Sequence, residues 1–395
     1  MIKHNILYIA SYDRPYGASQ RSFTFASELA SKGHSVTFVT NSYDHFSKSF
    51  TTLLPFKIEY IDNVKVVWLF SFPYGYSNIL RFISALFSIF FVLITHFFYC
   101  FKPSVIFSTS VPPFTFISSY ILSFFYKSKL FFEVRDVWPE ELISLGHIKK
   151  KSFSARFLSL VSNFAYKNAT SIISALPNVS SVIHPVSPNV PITYVPNPLD
   201  FDFIEKISFS DDPYQNLRSS FDYFCIYSGG AQISQDINQI INVSLNFPNV
   251  AFFVLGLPNA RLIDLQMTLD QKNLFLMPFL PKVKALEYIK FSDLALTCVT
   301  DTDIFKFGIN SNKIYDYMSL SIPIVFCGNA PSNPVELSGC GFCISPEDPE
   351  AFFVTLSHFF SLSYHEKCRM GRKGLDYSKS NFNKSYLSDK IQTLF

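Results

Sequence analysis

Apolar positions along the chain fall into two patterns. Short runs rich in Ile, Val, Phe and Tyr alternate with longer stretches whose apolar residues recur every three or four positions, which predicts strands alternating with helices. In the first half "NILYIAS" reads as a strand. A Gly-containing loop follows, then a helix from about Ser19 to Lys32 stopped by Gly33, then the strand "SVTFVT". Further strands are predicted at "SVIFSTS", "LFFEV", "SIISAL" and "ITYV". The pattern breaks at "VPNPLDFD", residues 195–202, where two prolines flank Asn197. It restarts with "YFCIYSGG" and passes through "AFFVLG", "LFLMPF", "LALTCV" and "PIVFCG", interleaved with short helices. Each half thus reads as a doubly wound parallel sheet, whose ligands lie beyond the carboxyl ends of the strands. Two such halves facing each other would make a cleft.

One run departs from both patterns. Residues 82–101, "FISALFSIFFVLITHFFYCF", carry no charge between Arg81 and Lys102, and a helix of that length reaches roughly 30 Å. Hydropathy makes it a transmembrane candidate, but the predicted strands on either side belong to one sheet, and a single crossing would separate them. The expectation is a helix on or partly in the membrane interface, with an ordinary sheet-covering helix as the alternative.

Composition narrows the class. A chain of 395 residues with 48% hydrophobic content exceeds one ordinary core. The charge balance, 33 − 30 = +3, comes without a basic run, so nucleic acid is not the expected partner. Seven cysteines show no framework, and the close pair Cys340 and Cys343 lacks the second pair of a zinc site, so both are expected in the core. "MIKHNILYIASY" reads as a first strand rather than a signal peptide, and a reducing cytoplasmic setting is expected.

Three stretches carry chemistry. In "IYSGGAQISQDINQII" a strand enters Ser228, Gly229 and Gly230, and a helix follows from about Gln235 with Ser234 as cap; such a start offers backbone N–H groups to a phosphate. In "FKFGINSNKIYDYMSLSIPIV" a helix would place Lys313, Asp316 and Tyr317 on one face. This is either a surface ion pair or a nucleotide site, with Lys313 on a diphosphate and Asp316 on a ribose hydroxyl. Asn310 and Asn312 near the helix start fit a polar end, and Lys306 is a second cation. In "LFFEVRDVWPEEL" strand alternation puts Glu133 and Arg135 on one face at a carboxyl end, either as an ion pair tying the strand to a neighbour or as the floor of a site.

With these stretches in place, the chain resembles bacterial family 4 glycosyltransferases of the GT-B fold, closest to members that build surface polysaccharides such as O-antigen or capsule. The resemblance rests most specifically on "EVRDVWPE" and "FGINSNKIYDYM", and more generally on "YGASQRSFTFASELASKGHSVTFVT", "YVPNPLD", "YSGG" and "LSGCGFCISPEDPEAF". It implies an α/β chain with two Rossmann-like domains. Residues 1–198 would bind the acceptor and include a membrane-associating helix near 80–102. Residues 199–378 would bind the nucleotide sugar, and a helix within 379–395 would pack back toward the first domain.

It further implies metal-independent transfer of a sugar from a nucleotide diphosphate sugar to a hydroxyl, with retention and no cofactor. The apolar run 82–101 in the acceptor half adds the expectation of a polyprenyl-diphosphate-linked saccharide as acceptor, at the inner face of the cell membrane. The implied catalytic group is Glu133, Arg135 and Asp136, with Glu133 orienting Arg135. The implied donor group is Ser228, Gly229, Gly230, Gly256, Phe279, Lys306, Asn312, Lys313, Asp316 and Tyr317; Gly17, Arg21 and Trp138 would face the acceptor. Two positions differ from the family pattern. Gly308 stands eight residues before Asp316, where relatives carry an acid, and no Arg or Lys follows Gly230 closely, which shifts the phosphate role to Lys306 or Lys313. Two other classes compete: a nucleotide-sugar epimerase on the same fold, and a non-catalytic membrane-bound subunit of a polysaccharide assembly complex.

Overall fold

The computed structural model, which describes residues 2–17, 20–44, 47–73, 78–99, 102–230, 234–269 and 271–395, divides into two units. One comprises Met1–Pro198 with Lys384–Phe395, the other Leu199–Asn383.

The first unit is built on strands β1 (Asn5–Ile9), β2 (Ser35–Asn41), β5 (Phe56–Ile61), β6 (Val64–Leu69), β7 (Val105–Thr109), β8 (Lys129–Val134), β9 (Ser171–Ser174) and β10 (Ile192–Tyr194), with a small ribbon of β3 (Tyr43–Asp44) and β4 (Ser49–Phe50) beside it. The sheet order is β10-β9-β8-β7-β1-β2-β6-β5. All neighbours pair in parallel except β5 and β6. That antiparallel pair was not expected from the sequence. Its turn is Asp62-Asn63, both at positive φ (49° and 63°), the two-residue geometry that suits the twist of a hairpin. Tyr8, Phe25, Phe38, Trp68, Phe107 and Phe131 form the core under one face, and the helix Lys384–Gln392 adds Leu387 and Ile391 to it. Ion pairs Lys384–Glu28 (3.5 Å) and Lys32–Asp389 (2.5 Å) flank that contact.

The apolar run forms the helix Asn78–Tyr99, crossing over between β6 and β7 of one sheet, so both its ends lie on the same side of any bilayer. Among the described residues no helix is long and apolar enough to cross a membrane. Ser84, Ala85, Ser88, Ile89, Val92, Thr95 and His96 are buried, whereas Phe90, Ile94, Phe97 and Phe98 are 61–71% exposed. The helices Thr115–Tyr126 and Phe153–Asn168 leave Phe124, Phe125, Phe153 and Leu160 exposed as well.

The second unit carries β11 (Tyr223–Ser228), β12 (Val250–Leu257), β13 (Leu274–Pro278), β14 (Leu294–Cys298), β15 (Ile324–Cys327) and β16 (Gly341–Ile344), in the order β13-β12-β11-β14-β15-β16 and all parallel. Strands β11, β12 and β14 are buried along nearly their whole length, as a sheet covered on both sides requires. Two clusters fill those faces, one around Tyr214, Phe253 and Met318, the other around Phe252, Ile240 and Leu356. Cys340 is in the core as expected, but Cys343, on the short edge strand β16, is exposed.

Candidate functional site

In each unit the chain reverses its direction of growth beside one strand, β1 in the first and β11 in the second. Carboxyl ends at such switch points are where an open α/β sheet leaves room for a ligand.

In the first unit the loop after β1 supplies Asp13, the helix Arg21–Ser31 supplies Arg21 and Ser22, β8 supplies Glu133, and the segment just past β8 supplies Arg135 and Asp136. Glu133 is buried and its acceptor capacity is taken up inside the protein. Arg21 Nε donates to Oε1 at 2.6 Å, Tyr8 Oη to Oε2 at 2.7 Å and Ser22 Oγ to Oε2 at 3.1 Å. The remaining guanidinium nitrogens of Arg21 reach the Val195 carbonyl (2.6 Å) and Asn197 Oδ1 (3.2 Å). A carboxylate and a guanidinium both removed from water hold their charge only when paired this closely. The expected Glu133–Arg135 pair is therefore replaced by two crossed pairs: Glu133 holds Arg21, and the carboxylate bonded to Arg135 Nη1 is Asp13. Asp13 also accepts the Ser22 N–H at 2.7 Å, at the start of the helix. It was missed in the sequence, although an acid just past the first strand of such a sheet is a usable signal. Arg21, expected to face an acceptor, is a buried tie between β8 and the 195–197 segment.

Arg135 is the partly exposed member, its side chain 23% accessible. The Ser110 hydroxyl accepts its backbone N–H (3.0 Å) and donates to the Asp136 carbonyl (3.1 Å), fixing the strand end. Burial is the largest influence on Asp136 and raises its pKa, with Asp13 adding to the rise and Arg135 opposing it. Glu141, on the next helix, is pushed up to about 8 by burial and by Asp136. Trp138 does not join the charged group. It packs on the apolar cluster of Ala85, Phe114, Leu158 and Val161, and its carbonyl accepts Ser162 Oγ at 2.9 Å. Gly17 adopts φ +99° in the loop before Arg21, and its carbonyl accepts Gln20 Nε2 at 2.8 Å.

In the second unit the predicted helix forms at Asn312–Ser319, and its Lys313 and Tyr317 contact β11. Tyr317 Oη accepts the Ser228 N–H at 2.8 Å, tying the helix to the end of β11. Lys313 reaches under the glycine turn: its Nζ donates to Tyr227 Oη (2.8 Å) and Gln235 Oε1 (2.6 Å), and lies 4.3 Å from the Tyr227 ring centre. A Cβ on Gly229 would stand 2.7 Å from Lys313 Cε. Gly256, at φ +99°, clears the other side, because a Cβ there would meet the Gly229 carbonyl oxygen at 2.5 Å. Gly256 therefore makes room for the turn. Only glycine combines that φ with that closeness.

Asp316 pairs with Lys282, whose side chain is half exposed; burial raises the Asp316 pKa and Lys282 opposes the rise. Neither Lys282 nor Tyr227 and Gln235 was singled out from the sequence, since all three become neighbours of the motif only through sheet order. The helix after the turn begins at Ile237, capped by Asp236, whose side chain accepts the Asn238 N–H at 3.1 Å, in place of the expected Ser234. Ser234 instead accepts the Thr300 N–H through its carbonyl. The segment 231–233 lies outside the described residues. Asn312 is exposed at the first turn of its helix, and Phe279 is exposed just past β13. Lys306 is directed elsewhere: it sits 3.9 Å from Asp303 and lines an open polar cavity of about 710 Å³ with Asn329, Asn333 and Glu336. Gly308 has φ +98°, a backbone that favours glycine.

No family model matches the chain, and no curated protein does either. Solved structures do. A sucrose-phosphate synthase from Thermosynechococcus elongatus superposes with TM-score 0.76 at 12% identity, covering 99% of this chain and 98% of that one. An E. coli trehalose-6-phosphate protein bound with UDP-2-fluoro glucose gives 0.74 at 10% identity, with 99% and 98% covered. HepE of Anabaena in complex with UDP-glucose gives 0.68 at 12% identity, again with 99% and 98% covered. Likeness at that depth over nearly the whole of each chain shows that this protein has the GT-B fold.

Proposed function

We propose that the chain is a retaining glycosyltransferase that moves a sugar from a UDP-sugar to a hydroxyl of a lipid-linked saccharide, in surface polysaccharide synthesis. The observation that carries the donor half is the glycine turn with Lys313 beneath it and Asp316 three residues further along the same helix face. A turn without side chains admits a diphosphate, an amine offsets its charge, and a carboxylate accepts two vicinal ribose hydroxyls. Two structures of like fold hold UDP-glucose or a UDP-sugar analogue. On this reading Ser228, Gly229 and Gly230 face the phosphates, Phe279 borders the base, and Arg135 lies beside the transferred sugar, held by Asp13. The departing UDP would be stabilised by fixed dipoles and cations, and its phosphate oxygen would take the proton of the attacking hydroxyl, with no metal required.

The acceptor half rests on the helix Asn78–Tyr99. Beside its buried face the helix turns four large apolar side chains, Phe90, Ile94, Phe97 and Phe98, outward where water selects polar ones, and a bilayer surface is the surrounding that suits them. Three consecutive lysines, Lys149 to Lys151, missed in the sequence, stand directly before Ser152 and Phe153 and fit anionic headgroups.

A thermal-shift panel of UDP, GDP and dTDP with their sugars tests the donor reading. UDP and one UDP-sugar should raise the melting temperature; no shift with any nucleotide overturns it. Co-sedimentation with phosphatidylglycerol vesicles should fall when Phe90, Phe97 and Phe98 are changed to serine. Binding that is equal in the triple variant overturns the membrane reading. Release of a free sugar epimer without acceptor would favour an epimerase, and nucleotide binding without transfer to any acceptor would favour the non-catalytic subunit.

A further inference from the structure

Among the described residues Lys313 makes no ion pair with a carboxylate, and its hydrogen-bond partners are a phenol and an amide. From β11 it faces Tyr227, from β14 Cys298, from the segment before the next helix Gln235, and on its own helix Tyr317. The nearest carboxylate on that helix, Asp316, is already paired with Lys282. Burial raises the pKa of both Tyr227 and Tyr317, so both phenols stay neutral around pH 7. Lys313 is half-buried; an ammonium there without a carboxylate partner is disfavoured, and desolvation lowers its pKa to about 7. The amine is also directly beneath the turn, its Nζ 3.0 Å from where a Gly229 Cβ would be, so an anion resting on the turn becomes its neighbour.

We propose that Lys313 binds the diphosphate by changing its protonation. An incoming phosphate oxygen replaces Gln235 Oε1 as partner of Nζ, and the neutral amine takes one proton from solvent to become the ammonium. The only covalent change is the new N–H bond, and the proton comes from the buffer. This inference rests on the donor reading above and adds to it a charge that appears only with the ligand. The turn can then stay stable when empty and still meet a diphosphate with a full positive charge.

Isothermal titration of the full chain with UDP, near pH 8 in Tris and in HEPES, reads the proton directly. The terminal phosphate of UDP, with pKa about 6, is already ionised there and takes up none. The binding enthalpies should differ between the buffers by an amount that approaches one proton gained per UDP. The affinity should also tighten as pH falls from about 9 to 7. Lys313→Arg, whose guanidinium is charged at every working pH, should bind UDP with no buffer dependence. Equal enthalpies in the two buffers while UDP binds overturn the inference and leave the donor reading intact, as does uptake that persists in Lys313→Arg. Failure of wild type to bind UDP at all overturns both.

Discussion

The two switch-point clusters use similar residues to opposite ends. In the first unit the cluster closes on itself: Arg21 pairs with Glu133, and Arg135 with Asp13. In the second, Lys313 meets a phenol and an amide, and Asp316 meets a half-exposed lysine. A closed pair returns the cost of desolvation within the protein, so it locks elements together and has little left for a ligand. An open one leaves a charge, or a place for one, to be completed from outside. The clustering of charged residues at a strand end therefore does not identify a binding group; what identifies it is whether the partners are already inside.

The comparison breaks first at Glu133. Glu133→Ala leaves Arg21 buried without its anion and should lower the stability of the first unit by about 3–5 kcal/mol, measured as a shift of its urea midpoint. A loss under 1 kcal/mol would show the pair to be no lock. Asp316→Ala should do the reverse, leaving the urea profile nearly unchanged while weakening UDP binding or transfer on the order of 10²-fold. Unchanged titration and turnover would remove Asp316 from the site.

Two smaller effects follow from linkage. The folded pKa of Lys313 is depressed to about 7 from the ordinary 10.5, so between those values the unfolded chain binds more protons and the folded state gains stability as pH rises. Lys313→Met lacks this gain. Its melting temperature relative to wild type should be highest near pH 6–7 and fall toward pH 10, and a pH-independent difference would contradict the depressed value. Glu141 has the opposite sign. Its folded pKa is raised to about 8 from 4.5, so the folded state binds more protons in that window and loses stability as pH rises through it. Glu141→Gln should be more stable than wild type at pH 8 and equal to it near pH 4. Coincident melting curves at pH 8 would place Glu141 in water.

Much of this was legible in the chain. Strand runs, the break after Val195 and the shared face of Lys313, Asp316 and Tyr317 follow from local periodicity, which does not depend on what lies across the fold. The β5–β6 hairpin was legible too, in the alternation of "KIEYIDNVKVVWL" around an Asp-Asn turn, but the eye follows longer apolar runs first. Partner identity was not legible. Glu133 and Arg135 alternate correctly onto one face, yet which cation meets which carboxylate depended on Asp13 and Arg21, more than a hundred residues away.

The sequence by itself determined two α/β halves, the glycine turn, the lysine–aspartate helix face and an apolar helix too uniform for an ordinary surface, because each is written in neighbours a few residues apart. Tertiary structure alone decided that Glu133 is a lock, that Gly256 clears the Gly229 turn, and that Lys313 has a phenol and an amide as its hydrogen-bond partners. Those are properties of side chains brought from distant strands into a medium without water, and in such a medium the energy of a charge is set by what stands within a few ångströms of it.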